Sequence, residues 1–188
     1  MEAGKFLTRT AIFIALAAVI KIVLASIPNV ELLTLWIAAV TLVYGLKTGV
    51  IVAFLGNAAA DLYIGFGPWT FFVSAGFVLV AVIIWMVRSY LQSSFSYAVT
   101  AVIVTVVFDV FTVVTSMSLL FGYSVKMALI QQYGLFVPPA YYPFGWVHLG
   151  SNAVIFYFVA EPFIERLKKI NSNALQSRST APRDDLHS

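Results

Sequence analysis

Long apolar segments, separated by short polar or Pro/Gly-containing breaks, make up most of this chain. The segments lie at about residues 8–26, 32–46, 48–64, 69–91, 97–121 and 145–167. Most of them approach the about 20 apolar residues that a helix needs to cross a bilayer. The pattern therefore predicts an all-α integral membrane protein built as a bundle of six transmembrane helices.

The breaks between these segments contain the residues that end helices. Residues 27–31 read Ile-Pro-Asn-Val-Glu and residues 65–69 read Gly-Phe-Gly-Pro-Trp. Proline removes a backbone donor and glycine costs backbone entropy, so both favour turns. The longer break at 122–144 predicts a short helix near 125–133, followed by an irregular aromatic stretch.

The composition agrees with a membrane location. Hydrophobic residues make up 61% of the chain and charged residues 10%, and the mean hydropathy is +0.95. A soluble domain typically has roughly a quarter charged residues, so this chain could not cover a water-facing surface. We expect one membrane domain over 1–170 and a disordered cytoplasmic tail over 171–188.

The distribution of lysine and arginine predicts the orientation. If six helices alternate, one side of the membrane receives most of the cations outside the spans: Lys5, Arg9, Lys47, Arg88, Arg166, Lys168, Lys169, Arg178 and Arg183. The opposite side receives Lys126. Because cytoplasmic loops are enriched in Lys and Arg, both termini are predicted to be cytoplasmic in a multi-pass cell-membrane protein. The scattered cations also argue against nucleic-acid binding.

Ionisable residues within the predicted spans are the first candidates for function, because charges in a bilayer are costly. Lys21 and Asp61 each lie about 20 Å along their helices from the cytoplasmic end, at 1.5 Å per residue. We expect them to pair between spans 1 and 3. Two interpretations stay open, a pair that only fixes helix packing and a pair of which one member contacts a polar ligand.

Span 5 has a polar stripe on one face. Thr105, Asp109, Thr112 and Ser116 follow spacings of 4, 3 and 4 residues, and residues so spaced share a helix face. Such a stripe on an apolar helix is predicted to point into the bundle. It serves either packing or ligand binding.

A pocket near the outer surface is predicted where span 6 begins. His148 and Asn152 are four residues apart and share a face. A mostly apolar site with a few polar groups is typical of small-molecule pockets, although an aromatic belt at the membrane interface is the plainer alternative. The candidate substrate-binding residues are Asn29, Glu31, Asp61, Trp69, Asp109, Thr112, Ser116, Tyr141, Trp146, His148 and Asn152.

The sequence lacks the residues and motifs that several kinds of catalysis require. The chain contains no cysteine, which excludes disulfides and thiol catalysis. No hydrolase or metalloprotease signature occurs, and Gly45-Leu46-Lys47-Thr48 lacks the earlier glycine of a phosphate-binding loop. We therefore expect neither a cofactor nor a metal, and no catalytic residue.

Several features together resemble a known family. They are the six predicted spans in 188 residues, the predicted cytoplasmic ends, the Ala11-x-x-x-Ala15 ridge of span 1, the Ile-Pro-Asn-Val-Glu break and the Gly-Phe-Gly-Pro-Trp break. Over about residues 5–168 the chain resembles the S components, the substrate-binding subunits of energy-coupling factor (ECF) vitamin transporters.

The resemblance implies a non-catalytic binder of a vitamin or vitamin precursor of the cobalamin, riboflavin or a related type. It implies as partners a transmembrane T component, which would meet Ala11 and Ala15, and two cytoplasmic ATPases. The ligand would lie near the outer surface, under the first outer loop.

Two other function classes stay open on the residues alone. An ion- or proton-coupled secondary transporter would use Lys21, Asp61 and Asp109, and a membrane enzyme would be built around Asp109 and His148. A carrier should move its substrate alone in liposomes, whereas a binding subunit should need ATP and its partners. An enzyme should turn a substrate over.

Overall fold

The fold is described from a computed structural model, which covers residues 2–135 and 141–179. All regular structure in these residues is helical. In chain order the α-helices are α1 (Glu2–Leu24), α2 (Leu33–Tyr44), α3 (Leu46–Ile64), α4 (Pro68–Met86), α5 (Ser94–Val113), α6 (Leu119–Phe121), α7 (Val125–Tyr133), α8 (Phe144–Ile155) and α9 (Glu161–Ser179).

Each apolar segment of the sequence is helical, although the helix of the first segment begins earlier, at Glu2, and that of the last segment ends later, at Ser179. Among the described residues, four helices are long and apolar enough to span a membrane: 3–24, 68–86, 94–121 and 144–174. The short helix predicted near 125–133 is present as α7. Part of the aromatic stretch that follows it lies outside the described residues.

The C-terminal helix is longer than the sequence pattern indicates. α9 continues to Ser179, into the segment 171–188 that was expected to be a disordered tail. Residues 180–188 lie outside the described residues. The extension begins with the polar residues Asn171, Ser172 and Asn173, which are exposed or partly exposed.

α2 is short, and the other helices enclose it. Its 12 residues rise only about 18 Å, well short of the about 30 Å of a hydrocarbon core. Every residue from Leu33 to Thr41 is buried. A helix that is apolar on all sides is typical of the interior of a bundle, so α2 forms the centre of the core.

Small residues allow the helices around this core to approach closely. A Cβ at Gly56 of α3 would lie 2.5 Å from the Ala17 Cβ of α1, and one at Gly76 of α4 would lie 2.6 Å from the Thr112 Cγ2 of α5. Neither site has room for a larger residue without movement of a helix. Small residues at such contacts are a recurrent feature of membrane helix packing.

Two of the long helices contain π-helical turns. Val114–Ser118 follows α5 and Phe156–Ala160 joins α8 to α9. A π-helical turn holds one more residue than an α-helical one, so it changes the face on which the following side chains lie.

Candidate ligand cavity

A cavity of about 370 Å³ lies at the end of the bundle where the α1–α2 loop meets α5, α7 and α8. Its lining is mostly apolar with a few ionisable and amide groups, which is typical of small-molecule sites. The lining residues are Lys21, Leu24, Ala25, Ile27, Pro28, Asn29, Val30, Glu31, Val73, Phe77, Phe108, Asp109, Thr112, Val113, Gln132 and His148.

A cluster of ionisable groups from three elements forms one side of the cavity. His148 Nδ1 of α8 lies 2.7 Å from Asp109 Oδ1 of α5, and His148 Nε2 lies 3.3 Å from Glu31 Oε1 of the α1–α2 loop. Tyr133 of α7 donates its hydroxyl to Asp109 Oδ2 at 3.4 Å. We call Glu31, Asp109, Tyr133 and His148 the open cluster.

The open cluster must hold one additional proton if both contacts of His148 are to be hydrogen bonds. A neutral histidine has only one N–H, yet both ring nitrogens of His148 face carboxylate oxygens. Both contacts are hydrogen bonds only if the ring is an imidazolium or if one carboxyl is protonated. Even with this proton, the cluster bears one net negative charge.

Glu31 is the member that faces the cavity from the loop. Burial alone would raise the pKa of the Glu31 carboxyl, but hydrogen bonds from His148 and Thr34 lower it below its ordinary value. Both of these bonds reach the same oxygen, Oε1. Oε2 has no hydrogen-bond partner among the described residues, so this carboxylate retains an unused acceptor.

A second cluster lies beside the first and joins α1, α3 and α4. Lys21 Nζ donates to Asn57 Oδ1 and to Asp61 Oδ1, both at 2.6 Å. The Asn57 amide donates in turn to Ser74 Oγ at 2.9 Å and to Asp61 Oδ2 at 3.4 Å. We call Lys21, Asn57, Asp61 and Ser74 the closed cluster. It contains the ion pair that the sequence predicted between spans 1 and 3.

Aromatic rings form the apolar wall of the cavity. Phe77 of α4 packs against Phe108 of α5 with ring centroids 4.4 Å apart. Phe108 also meets the His148 ring edge to face at 5.8 Å. A flat ring can stack on such a surface with more affinity than its buried area alone would give.

The α1–α2 loop is held over the cavity by hydrogen bonds to α8. Asn29 Nδ2 donates to the Phe144 carbonyl at 2.8 Å, and the Ser151 hydroxyl donates to the Asn29 carbonyl at 3.0 Å. Asn29 has a φ of 56°, a left-handed conformation that asparagine tolerates better than most residues. This turn directs the chain so that Glu31 reaches His148.

The short helix α7 closes another side. Gln132, which is buried, lines the cavity. Trp146 Nε1 donates to the Tyr133 carbonyl at 2.9 Å, and Gly145 lies so close that a Cβ there would be 2.5 Å from the Tyr133 ring. These contacts hold α7 against the start of α8, and Tyr133 thereby lies beside Asp109.

The structure brings five of the predicted substrate-binding residues to the cavity: Asn29, Glu31, Asp109, Thr112 and His148. Three others are buried away from its lining. Asp61 lies in the closed cluster, Asn152 donates to Thr105 Oγ1 at 2.9 Å, and Ser116 lies in the π-helical turn after α5.

The three remaining predicted residues are aromatic and exposed: Trp69, Tyr141 and Trp146. None of them lines the cavity. Trp69 covers Gly67 at the start of α4, where a Cβ would meet its ring at 2.4 Å. Trp146 binds the backbone of α7, so its position serves the shape of the site rather than its surface.

Of the lining side chains that were not among the predicted substrate-binding residues, three matter most for the site: Phe77, Phe108 and Gln132. Phe77 and Phe108 are indistinguishable by type from the other phenylalanines in the spans, and nothing in the sequence marks them. Gln132 had a usable signal, because Gln131 and Gln132 are two amides that follow the apolar residues 127–130 of the predicted short helix. Its burial follows from the contact between α7 and α8.

The family comparison agrees with this architecture. A family model described as "ECF transporter, substrate-specific component" matches residues 5–160 of the chain. Neither a curated protein nor a solved structure matches it.

Proposed function

The chain belongs to the family of substrate-specific components of ECF transporters, and from this premise we propose that it binds a vitamin-like small molecule in the cavity beneath the α1–α2 loop. Members of this family are transport subunits rather than enzymes. We propose further that it works with a transmembrane T component and two cytoplasmic ATPases, which would supply the energy for release of the ligand inside the cell.

The observation that carries this proposal is the composition of the cavity wall. Aromatic and aliphatic side chains provide most of the surface, while Glu31, Asp109 and His148 place hydrogen-bonding groups on one side. Apolar area gives affinity, and a few fixed polar groups give orientation and specificity. The same groups would be costly in an apolar bundle without a polar ligand or water to meet them.

The size of the cavity bears on the ligand. A volume of about 370 Å³ lies near the lower end of the about 300–1,000 Å³ of small-molecule sites. It accommodates a compact ring compound and would have to expand greatly for a corrinoid. Of the substrate types implied by the resemblance, a riboflavin-like or smaller molecule is favoured over cobalamin.

Ligand binding by the purified chain is the direct test. The protein is extracted in mild detergent, small molecules that co-purify are identified by mass spectrometry, and their binding is measured by calorimetry on the washed protein. A binding subunit is expected to bind without ATP and without partners. A protein that neither retains nor binds any compound would contradict the proposal.

We also propose six spans with both termini in the cytoplasm, as the distribution of lysine and arginine indicates. Reporter fusions after Ser94 and after Ile170 are expected to read cytoplasmic, and one after Tyr123 external. The cavity would then open to the outside. Opposite locations for Ser94 and Ile170 would exclude this topology.

An ion-coupled carrier is the second candidate, because both clusters put titratable groups inside the bundle. The two functions differ in what liposomes containing only this chain can do. A carrier should accumulate substrate when an ion gradient is imposed. The binding subunit should bind substrate but transport it only when the T component, the ATPases and ATP are present.

A further inference from the structure

Two carboxylate oxygens on the charged side of the cavity have spare capacity to accept hydrogen bonds. In the open cluster, Glu31 Oε2 has no partner among the described residues, and Asp109 Oδ2 receives only the long 3.4 Å bond from Tyr133. Carboxylates accept hydrogen bonds and cannot donate them. The groups best suited to these oxygens are N–H donors, above all those that bear a positive charge.

The charges around the cavity are also unbalanced, with an excess of negative charge. Lys21 is the cation that lines the cavity, and it is already paired with Asp61. Glu31, Asp109 and His148 retain one net negative charge after the shared proton is counted. An uncompensated charge within a membrane bundle is costly, and a bound cation would compensate it at the place where it arises.

The aromatic wall beside the open cluster favours a ligand whose positive charge lies at the edge of a flat ring. Phe77 and Phe108 stand beside the open cluster, with Phe108 in contact with the His148 ring. A flat ring on this wall would bring its edge to the carboxylates. An amidine-like edge combines a positive charge with N–H groups, and one of these could donate to Glu31 Oε2, the oxygen that has no partner among the described residues.

Given the proposed function, on which this step rests, we infer that the ligand is a compact aromatic ring compound that presents a cationic, N–H-bearing edge to Glu31 and Asp109. Acidic ring compounds should be rejected, because their carboxylate would meet two others. Discrimination of this kind by repulsion is as effective as a favourable contact.

Three quinolines of similar shape test the inference. Near neutral pH, 2-aminoquinoline is largely cationic with adjacent N–H groups, because its amidine-like ring is the stronger base. Under the same conditions 2-methylquinoline is largely neutral and quinoline-2-carboxylate is anionic. Binding to the detergent-solubilised full chain is measured by equilibrium dialysis. We expect 2-aminoquinoline to bind at least about 10-fold more tightly than 2-methylquinoline, as one charge-assisted hydrogen bond implies, and the carboxylate to bind most weakly.

Matched variants assign the preference to the cluster. Glu31→Gln keeps the side-chain shape and should reduce the preference for 2-aminoquinoline over 2-methylquinoline about 10- to 100-fold, and circular dichroism checks that the variant is folded. Glu165→Gln removes an exposed carboxylate on α9 and should keep the preference. Asp109→Asn should behave like Glu31→Gln.

Three outcomes would overturn the inference: tightest binding of quinoline-2-carboxylate, no binding of 2-aminoquinoline, or a preference that survives both Glu31→Gln and Asp109→Asn. The proposed function fails in a different way. If cells that express the chain with its partners accumulate no ligand, the transport role is wrong, whatever the quinolines show. If they accumulate an acidic ligand, the transport role stands and only the cationic class is wrong.

Discussion

The two polar clusters of this bundle use similar residues in opposite ways. In the closed cluster, Lys21 balances Asp61, and Asn57 uses both its oxygen and its nitrogen on neighbours. In the open cluster, two carboxylates share one histidine, and an oxygen of Glu31 has no partner among the described residues. The first is electrically balanced and the second is not.

This difference separates a packing device from a binding surface. Buried charges that satisfy each other fix the position of helices and offer little to a ligand. Buried charges that leave an acceptor unused pay a desolvation cost that a ligand can relieve. We therefore propose that the closed cluster stabilises the contacts of α1 with α3 and α4, and that the open cluster is the part of the cavity that selects the ligand.

The largest effect should come from breaking the closed cluster. Lys21→Met leaves Asp61 as a buried charge without its partner, and the loss of one member of such a pair costs about 3–5 kcal/mol. Because Lys21 is partly exposed to the cavity, we expect the lower end of this range. The measurement is thermal unfolding in detergent micelles.

Two controls define that result. Lys126→Met removes an exposed lysine at the start of α7 and should leave the unfolding midpoint unchanged. The double variant Lys21→Met/Asp61→Asn removes both charges and should recover much of the lost stability. A single variant as stable as the wild type would mean that the cluster contributes nothing to packing.

A smaller effect should distinguish two buried residues that the sequence treated alike. Asp109 lines the cavity, whereas Asn152 binds Thr105 away from it. Asp109→Asn should weaken binding of a cationic ligand by about 10- to 100-fold. Asn152→Ala should cost about 1–2 kcal/mol of stability through the lost hydrogen bond and leave affinity unchanged.

Calorimetry and thermal unfolding on the same two preparations decide between these roles. Loss of affinity in Asn152→Ala equal to that in Asp109→Asn would show that the polar face of α8 reaches the ligand after all. It would then place the binding site deeper than the cavity between α5, α7 and the α1–α2 loop.

Much of the fold could be predicted from the sequence, because hydropathy and turn residues act locally. Runs of apolar residues predicted the helices, and Pro28 and Gly67 mark loops that the structure contains. The Lys21–Asp61 pair was predictable too, because both residues lie at the same depth from the same side. The inward direction of Asp109 followed from helical spacing alone.

Which residues line the cavity could not be predicted in the same way. Ser116 continues the spacing of Thr112, but the π-helical turn at Val114–Ser118 breaks the period on which that prediction relied. Phe108 resembles any membrane-facing phenylalanine until its neighbours are known. Which polar residues contact each other rather than a ligand depends on helix rotation, which hydropathy does not specify.

The smallest effect on both clusters should come from the exposed face of α1. Ala11 and Ala15 lie one turn apart and are exposed, while Lys21 of the same helix turns toward α3. Ala11→Trp or Ala15→Trp should change the stability of the isolated protein by no more than about 0.5 kcal/mol, as is usual for surface positions, and ligand affinity not at all. In cells that supply the proposed T component and ATPases, either variant should abolish uptake, because the bulky ring prevents close approach of another helix.

Ile103→Trp, at an exposed position of α5, is the matched control for this prediction and should transport normally. If uptake survives in both alanine variants, the partner contacts another face of the bundle; if affinity falls with uptake, α1 is coupled to the cavity through Lys21 and the two clusters are not independent.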